Sequence, residues 1–189
     1  RDNDDPALPL VSVLGQQSAQ LFTIDGVLRC TVGMASENEA ASEPLLYGCQ
    51  GMSNSHLCLV DVSENHRLKV YRAATGRVVL NTIKPFGEPT AVCFAAGSSL
   101  LCICDSADSN TINVFTLAPR FSLMYKFGGQ HVTRPTFIVS RPMSSTLVIF
   151  NQESGTLVET TLQGDVMKRL ESCHDDASSV NADLSTCSI

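Results

Sequence analysis

A recurrence of about 45 residues constrains this chain more than any other feature. Three segments align from their prolines, Glu43-Pro44, Glu88-Pro89 and Arg134-Pro135, 45 and 46 residues apart. After each proline come an apolar run, a small polar turn and a second apolar run ending in Asp61, Asp105 or Asn151, at spacings of 44 and 46. A third run follows (RLKVYR, TINVFT or TLVETTL), and a fourth closes the unit: VVLNTI before Gly87, FSLMYKF before Gly128, and VMKRL. These short runs are rich in β-branched, aromatic and alternating residues. Gly, Pro, Asn, Asp or Ser separates nearly every pair, which is the pattern of strands joined by tight turns. No extended window carries a 3.6-residue apolar stripe, so the chain is expected to be all-β. Four consecutive antiparallel strands per period make a propeller blade, whose faces are covered by the blades on either side.

The expected fold is thus a β-propeller of four-stranded antiparallel blades, about four of them in this chain. Before the first aligned proline only LVSVLG, AQLFTI and LRCTV read as strands, so the first unit is one strand short. The expected blades occupy residues 9–42, 43–87, 88–133 and 134–170. A flexible stub at 1–8 precedes them, and a Ser-rich acidic tail at 171–189, expected to be disordered, follows. With 189 residues, 43% hydrophobic and 17% charged, the composition suits one globular unit and opposes a coiled coil or wholesale disorder. Apolar stretches such as Leu100 to Cys104 are far too short for a membrane helix.

The net charge of −6 is concentrated at the ends. Asp2, Asp4 and Asp5 lie at one end and Glu171, Asp175, Asp176 and Asp183 at the other, leaving 12 basic and 12 acidic residues between positions 6 and 170. Within this neutral body, Arg67 to Lys84 and Arg120 to Arg141 are free of carboxylates. A basic face is therefore compatible with an acidic chain. The eight cysteines do not form a disulfide framework: Cys58, Cys93, Cys102 and Cys104 lie inside apolar runs, and no CxxC pair occurs. Free thiols point to a reducing, cytoplasmic setting.

Residues Asp61 to Gly76, DVSENHRLKVYRAATG, resemble the NHL family of propeller repeats. They carry its Asp, then Asn65, His66 and Arg67, an apolar-aromatic end at Val70 and Tyr71, and Gly76. Asp105 to Phe115 keeps the Asp and the apolar-aromatic end but has Ser109, Asn110 and Thr111 in place of Asn-His-Arg, and the last unit has Asn151 at the Asp position. WD40 repeats share the period but bring a Trp-Asp pair, and this chain has no tryptophan. The resemblance implies a six-bladed ring, with further N-terminal blades or modules of the same protein. It also implies a non-catalytic module like the C-terminal target-recognition part of tripartite-motif (TRIM) ubiquitin ligases, whose catalytic RING lies elsewhere in the protein. A protein partner is the first expectation. Single-stranded RNA is the alternative, because some relatives bind it through a basic rim.

The residues available for such a rim are Arg67, Lys69, Tyr71, Arg72, Arg77, Lys84, Arg120, Lys126, Arg134 and Arg141, with Tyr71 and Tyr125 as interleaved rings. Pro44, Asp61, Asn65, His66, Gly76, Pro89, Asp105, Pro135 and Asn151 are assigned to the repeat itself. A polar residue recurring at one strand end hydrogen-bonds the turn beside it more readily than it catalyses. Some NHL-like propellers are lyases that hold a metal by histidines on the axis. That remote alternative needs converging ligands, whereas His56, His66, His131 and His174 show no ligand spacing. No nucleophile, phosphate-loop or zinc-protease motif occurs, so no catalytic residue, cofactor, metal or membrane contact is expected.

Overall fold

The computed structural model describes residues 10–15, 18–33, 47–53, 55–61, 67–83, 87–97, 99–107, 110–141 and 144–171. Its strands are β1 Leu10–Leu14, β2 Ala19–Thr23, β3 Leu28–Val32, β4 Tyr47–Met52, β5 His56–Asp61, β6 Arg67–Arg72, β7 Val78–Ile83 and β8 Pro89–Ala95. They continue as β9 Leu100–Asp105, β10 Thr111–Thr116, β11 Ser122–Gly128, β12 Pro135–Arg141, β13 Thr146–Asn151, β14 Thr156–Thr161 and β15 Val166–Glu171. Among the described residues the sole helical element is a 3-10 turn at Gly129–His131. The strands form four antiparallel meanders, β1-β2-β3, β4 to β7, β8 to β11 and β12 to β15, in a four-bladed propeller arrangement. Residues 1–8, and all of the expected tail after Glu171, lie outside the described residues.

β4, β8 and β12 pack side by side, so the first strand of each of these blades is innermost. Three apolar layers hold the blades together. Ala19, Leu21 and Val32 of blade one meet Leu57, Leu59 and Tyr71 of blade two. The other side of blade two, Cys58, Val60, Leu68 and Val70, meets Val92, Phe94, Leu101, Ile103 and Phe115 of blade three. Blade three then offers Ala91, Cys93, Cys102, Cys104, Ile112 and Val114 to Ile138, Leu147 and Ile149 of blade four. Each Leu or Ile so buried contributes roughly 1.5 to 3 kcal/mol.

Burial follows a blade's place in the row. β9 and β10 are buried on both faces because a blade covers each side, whereas β13 and β14 alternate between buried and open positions. Val148 and Phe150 are therefore only half-buried, whereas Cys102 and Cys104, their counterparts in blade three, are buried: no described blade covers that face of blade four. Pro89 stands opposite Asp105 and Pro135 opposite Asn151, but Tyr47 is the residue opposite Asp61. The alignment from Pro44 was thus offset, and Pro44 itself lies outside the described residues.

Blade one is the short blade. Its β2–β3 hairpin has a bulge and a left-handed glycine, Gly26, at the turn, as β6–β7 has with Gly76 and β14–β15 with Gly164. β1 touches β4 as β5 touches β8 and as β9 touches β12. β1, β2 and β3 are therefore the second, third and fourth strands of a blade. Its innermost strand is the missing one among the described residues.

Candidate interaction surface

The recurring polar residues hold the frame together. Asp105, 1% exposed, ends β9. Its Oδ2 accepts the Gly87 N–H at 2.8 Å, and its Oδ1 accepts those of Glu88 at 2.9 Å and Ala107 at 3.2 Å. Asn151 does the same work in blade four: Oδ1 accepts the Thr133 N–H at 3.1 Å and Nδ2 donates to the His131 carbonyl at 3.0 Å. Both side chains pin the segment just before their blade's innermost strand. The backbone repeats the device, with Ser106 N–H donating to Glu88 and Gln152 N–H to Arg134 at 3.0 and 3.1 Å. This is a structural role for the repeat position, and Asp105 and Asn151 are fully engaged in it.

Three further ties cross from blade three to blade four, and sequence spacing gave no sign of them. The Thr90 hydroxyl donates to the Pro135 carbonyl. Asn110 Oδ1 accepts the Arg134 N–H at 2.9 Å, and the Tyr125 hydroxyl donates to the Leu162 carbonyl at 2.9 Å. Asn110 holds a left-handed φ of 57°, which its short amide side chain tolerates better than most.

Strand direction sorts the expected basic residues between the two ends of the arrangement. The β6–β7 and β10–β11 turns and the C-terminal end of β12 lie at one end of the blades, which places Arg72, Arg77, Arg120 and Arg141, all exposed, at that end. Arg141 is paired there with Glu159 at 2.9 Å. Arg67 begins β6 at the opposite end, and Arg134, exposed with φ 46°, precedes β12 at that end. Lys126 is exposed along outer strand β11. Lys84, Asn65 and His66 lie outside the described residues.

Two expected rim residues are not on the surface. Lys69 is 6% and Tyr71 4% exposed. They alternate along β6 with Ala73 on the side turned toward blade one, whose residues pack against Tyr71 and Ala73. The Tyr125 ring is half-buried and packs against the layer between blades three and four. Of the two rings expected to interleave with the cations, Tyr71 is buried and Tyr125 half-buried.

On the shared rim, His56 opens β5 beside Ser55, whose Oγ is 2.9 Å from Nδ1, and its ring lies 6.1 Å from that of Phe94. Burial first, and then the nearby Arg72 guanidinium, hold His56 below the usual imidazole pKa. Acidic groups flank this basic sector: Asp25 in the β2–β3 turn, held low chiefly by the Thr23 hydroxyl, and Asp165 in the β14–β15 turn. The described residues contain no cluster of three or more His, Cys, Asp or Glu side chains placed to hold a metal. Cys30, Cys58, Cys93, Cys102 and Cys104 are not joined in disulfides. No helix among the described residues is long and apolar enough to cross a membrane.

No family model matches the chain, and no curated protein matches it.

Proposed function

We propose that this chain is a non-catalytic interaction module that recognises a protein, as the target-binding part of a larger cytoplasmic, ubiquitin-ligase-like protein. The NHL-like run from Asp61 to Gly76 supports the ligase context. The observation that carries the choice of partner is the rim itself. Arg72, Arg77 and Arg120 are exposed on the same end of blades two and three, while Tyr71 is buried in the layer between blades one and two and Tyr125, half-buried, packs against the layer between blades three and four. Phosphate binding needs cations, but single-strand recognition adds stacked aromatic faces worth roughly 1 to 3 kcal/mol per base. A cationic rim bounded by Asp25 and Asp165, without those rings, suits a short acidic protein segment better than a polyanion.

The test is a pair of anisotropy titrations at about 0.15 M salt, one with a labelled Glu/Asp-rich dodecapeptide and one with mixed-sequence single-stranded RNA. The peptide should bind, and Arg72→Glu with Arg77→Glu should abolish that binding while leaving thermal unfolding unchanged. RNA should bind no tighter than the non-specific range of about 10⁻⁴ to 10⁻⁶ M. Tighter RNA binding, with a log–log salt slope of about −0.7 per phosphate contacted, would replace the protein reading with the RNA one.

A further inference from the structure

Cys93 of β8 and Cys102 of β9 stand directly opposite each other in the sheet of blade three, and both side chains lie in the layer that meets blade four. We propose that this pair is an oxidation site, which a peroxide converts into a cross-strand disulfide that withdraws the Cys93 sulfur from blade four. The site shares no residue with the arginine rim, so the inference stands apart from the protein-recognition reading.

Backbone register makes the bond possible. Ser99 N–H donates to the Ala96 carbonyl at 3.3 Å, closing the β8–β9 hairpin on a hydrogen-bonded pair. Opposed pairs alternate in kind from that turn, so Ala95–Leu100 is non-hydrogen-bonded, Phe94–Leu101 hydrogen-bonded and Cys93–Cys102 non-hydrogen-bonded. The register shift between these strands lies beyond, at Pro89 and Ala91. In a non-hydrogen-bonded pair the Cα atoms are about 4.5 Å apart and the side chains approach most closely. A disulfide spans Cα separations of about 4.4 to 6.8 Å, so the strands need not part to accept it. The two side chains already share a hydrogen bond. Cys104, in the same layer, is no substitute: it is diagonal to Cys93, and diagonal Cα atoms are about 7 to 8 Å apart, too far to bridge without backbone movement.

The surroundings set the order of events. Ser140 N–H of β12 donates to the Cys93 sulfur, which ties that sulfur to blade four. Cys93 is 7% exposed and Cys102 0%, so Cys93 is the one an oxidant meets first. Its hydrogen bond with Cys102, and then burial, hold Cys93 well above the usual thiol pKa, which keeps it protonated and inert while blade four is docked. When the seam opens, the Cys93 thiolate attacks one oxygen of hydrogen peroxide, giving a sulfenic acid and hydroxide, which takes up the thiol proton as water. The Cys102 sulfur then attacks the sulfenic sulfur, and the departing oxygen leaves with the Cys102 proton as a second water. Two electrons and two protons thus pass from the pair to one peroxide. Reductant reverses the change, as expected of a redox-sensing disulfide in a reducing compartment.

To test this, the 189-residue chain is treated with hydrogen peroxide, its remaining thiols are alkylated in denaturant, and the sites are read by peptide mass spectrometry. Alkylation should fall together at Cys93 and Cys102, at least about fivefold more than at Cys30 or Cys58, and dithiothreitol should restore it. A linked peptide pair lighter by two hydrogens should carry Cys93 and Cys102, and amide exchange at Ser140 should quicken in the oxidised chain. Cys102→Ala should leave Cys93 as a sulfenic acid that dimedone traps. Cys104→Ala, an equal truncation on the same strand and face, should oxidise like the parent chain, which controls for loosened packing. Thiol loss spread evenly over all eight cysteines, or a disulfide that survives Cys102→Ala and vanishes with Cys104→Ala, would overturn the assignment. So would full alkylation of Cys93 and Cys102 after an exposure that oxidises the exposed Met124 and Met167. A Cys93–Cys102 disulfide that leaves Ser140 exchange unchanged would overturn the link to blade four.

Discussion

Asp105 couples a sequence repeat to a fold most directly, because three backbone N–H groups from two turns converge on one buried carboxylate. Charge-assisted bonds of this kind contribute about 1.5 to 3 kcal/mol each when a partner is removed, though water can reach part of the exposed turn at Gly87 and Glu88. Asp105→Ala should therefore lower unfolding stability by about 2 to 4 kcal/mol in urea titration, and Asn151→Ala, a neutral acceptor and donor, by about 1 to 2 kcal/mol. Equal, negligible losses would show that these side chains do not pin the blades. His56 gives a pH test. Its folded pKa lies below the ordinary value of 6.5, so below that pH the unfolded chain binds more protons than the folded one. Its contribution to stability is full above about pH 6.5 and declines as pH falls toward the folded pKa. In an NMR titration its midpoint should lie below 6.5 and move upward in Arg72→Ala, since one of the two causes of the depression is then gone. The Asp and Asn positions were legible in the sequence because they recur once per unit with no catalytic company. Lys69 misled because β6 is covered on both faces, so an ordinary Lys-x-Tyr alternation carries no outward face at its centre.

The strands themselves were legible wherever a run alternates or concentrates β-branched residues. β4 was the exception: YGCQGM has two glycines and no branched residue, so its place in the unit was clear from the repeat and its register was not. The register depends on contacts between blades that a single chain pattern does not encode. Gly51 is one such contact, and Gly164, with φ +96°, is another: a Cβ there would lie 2.6 Å from the Phe127 ring. At Gly51 the obstacle is backbone, which cannot swing aside as a side chain can. Gly51→Val should thus separate β4 from β8 and destabilise the chain by at least about 2 kcal/mol, in the range of overpacked cores. Gly97, also left-handed at φ +64° but with open space around it, is the comparison: Gly97→Ala should cost about 1 kcal/mol from backbone strain alone. A larger loss at Gly97 than at Gly51 would mean that the inner row is not the close contact it is taken to be.

Across the whole molecule, the four blades leave two broad faces at their ends. On blade four, Phe137, Val139, Leu157 and Leu170 are 51%, 41%, 37% and 50% exposed. Strand register makes these positions the counterparts of Ala91, Cys93, Ile112 and Phe127, which blade four covers in blade three. A groove of about 280 Å³ runs across this face between Val148, Leu157 and Leu170, bordered by Arg141, Glu159 and Lys168. At the other end Val11, Val13 and Leu28 of blade one are about half exposed. With strands about 4.8 Å apart and a rise of about 3.3 Å per residue, a four-stranded face six residues long covers about 400 Å². That is the scale at which an exposed apolar patch marks a contact or an aggregation hazard. The chain alone should therefore self-associate, with light scattering rising steeply with concentration. Replacing Phe137 and Leu157 by Lys should suppress this, and because both side chains are already partly in water, unfolding stability should change by only about 0.5 kcal/mol per site. Sedimentation of the two forms side by side decides the matter. If the unsubstituted chain stays monomeric across the range in which the variant does, the end face is not adhesive, and the apolar row from Phe137 to Leu170 has to be explained by something other than a missing cover.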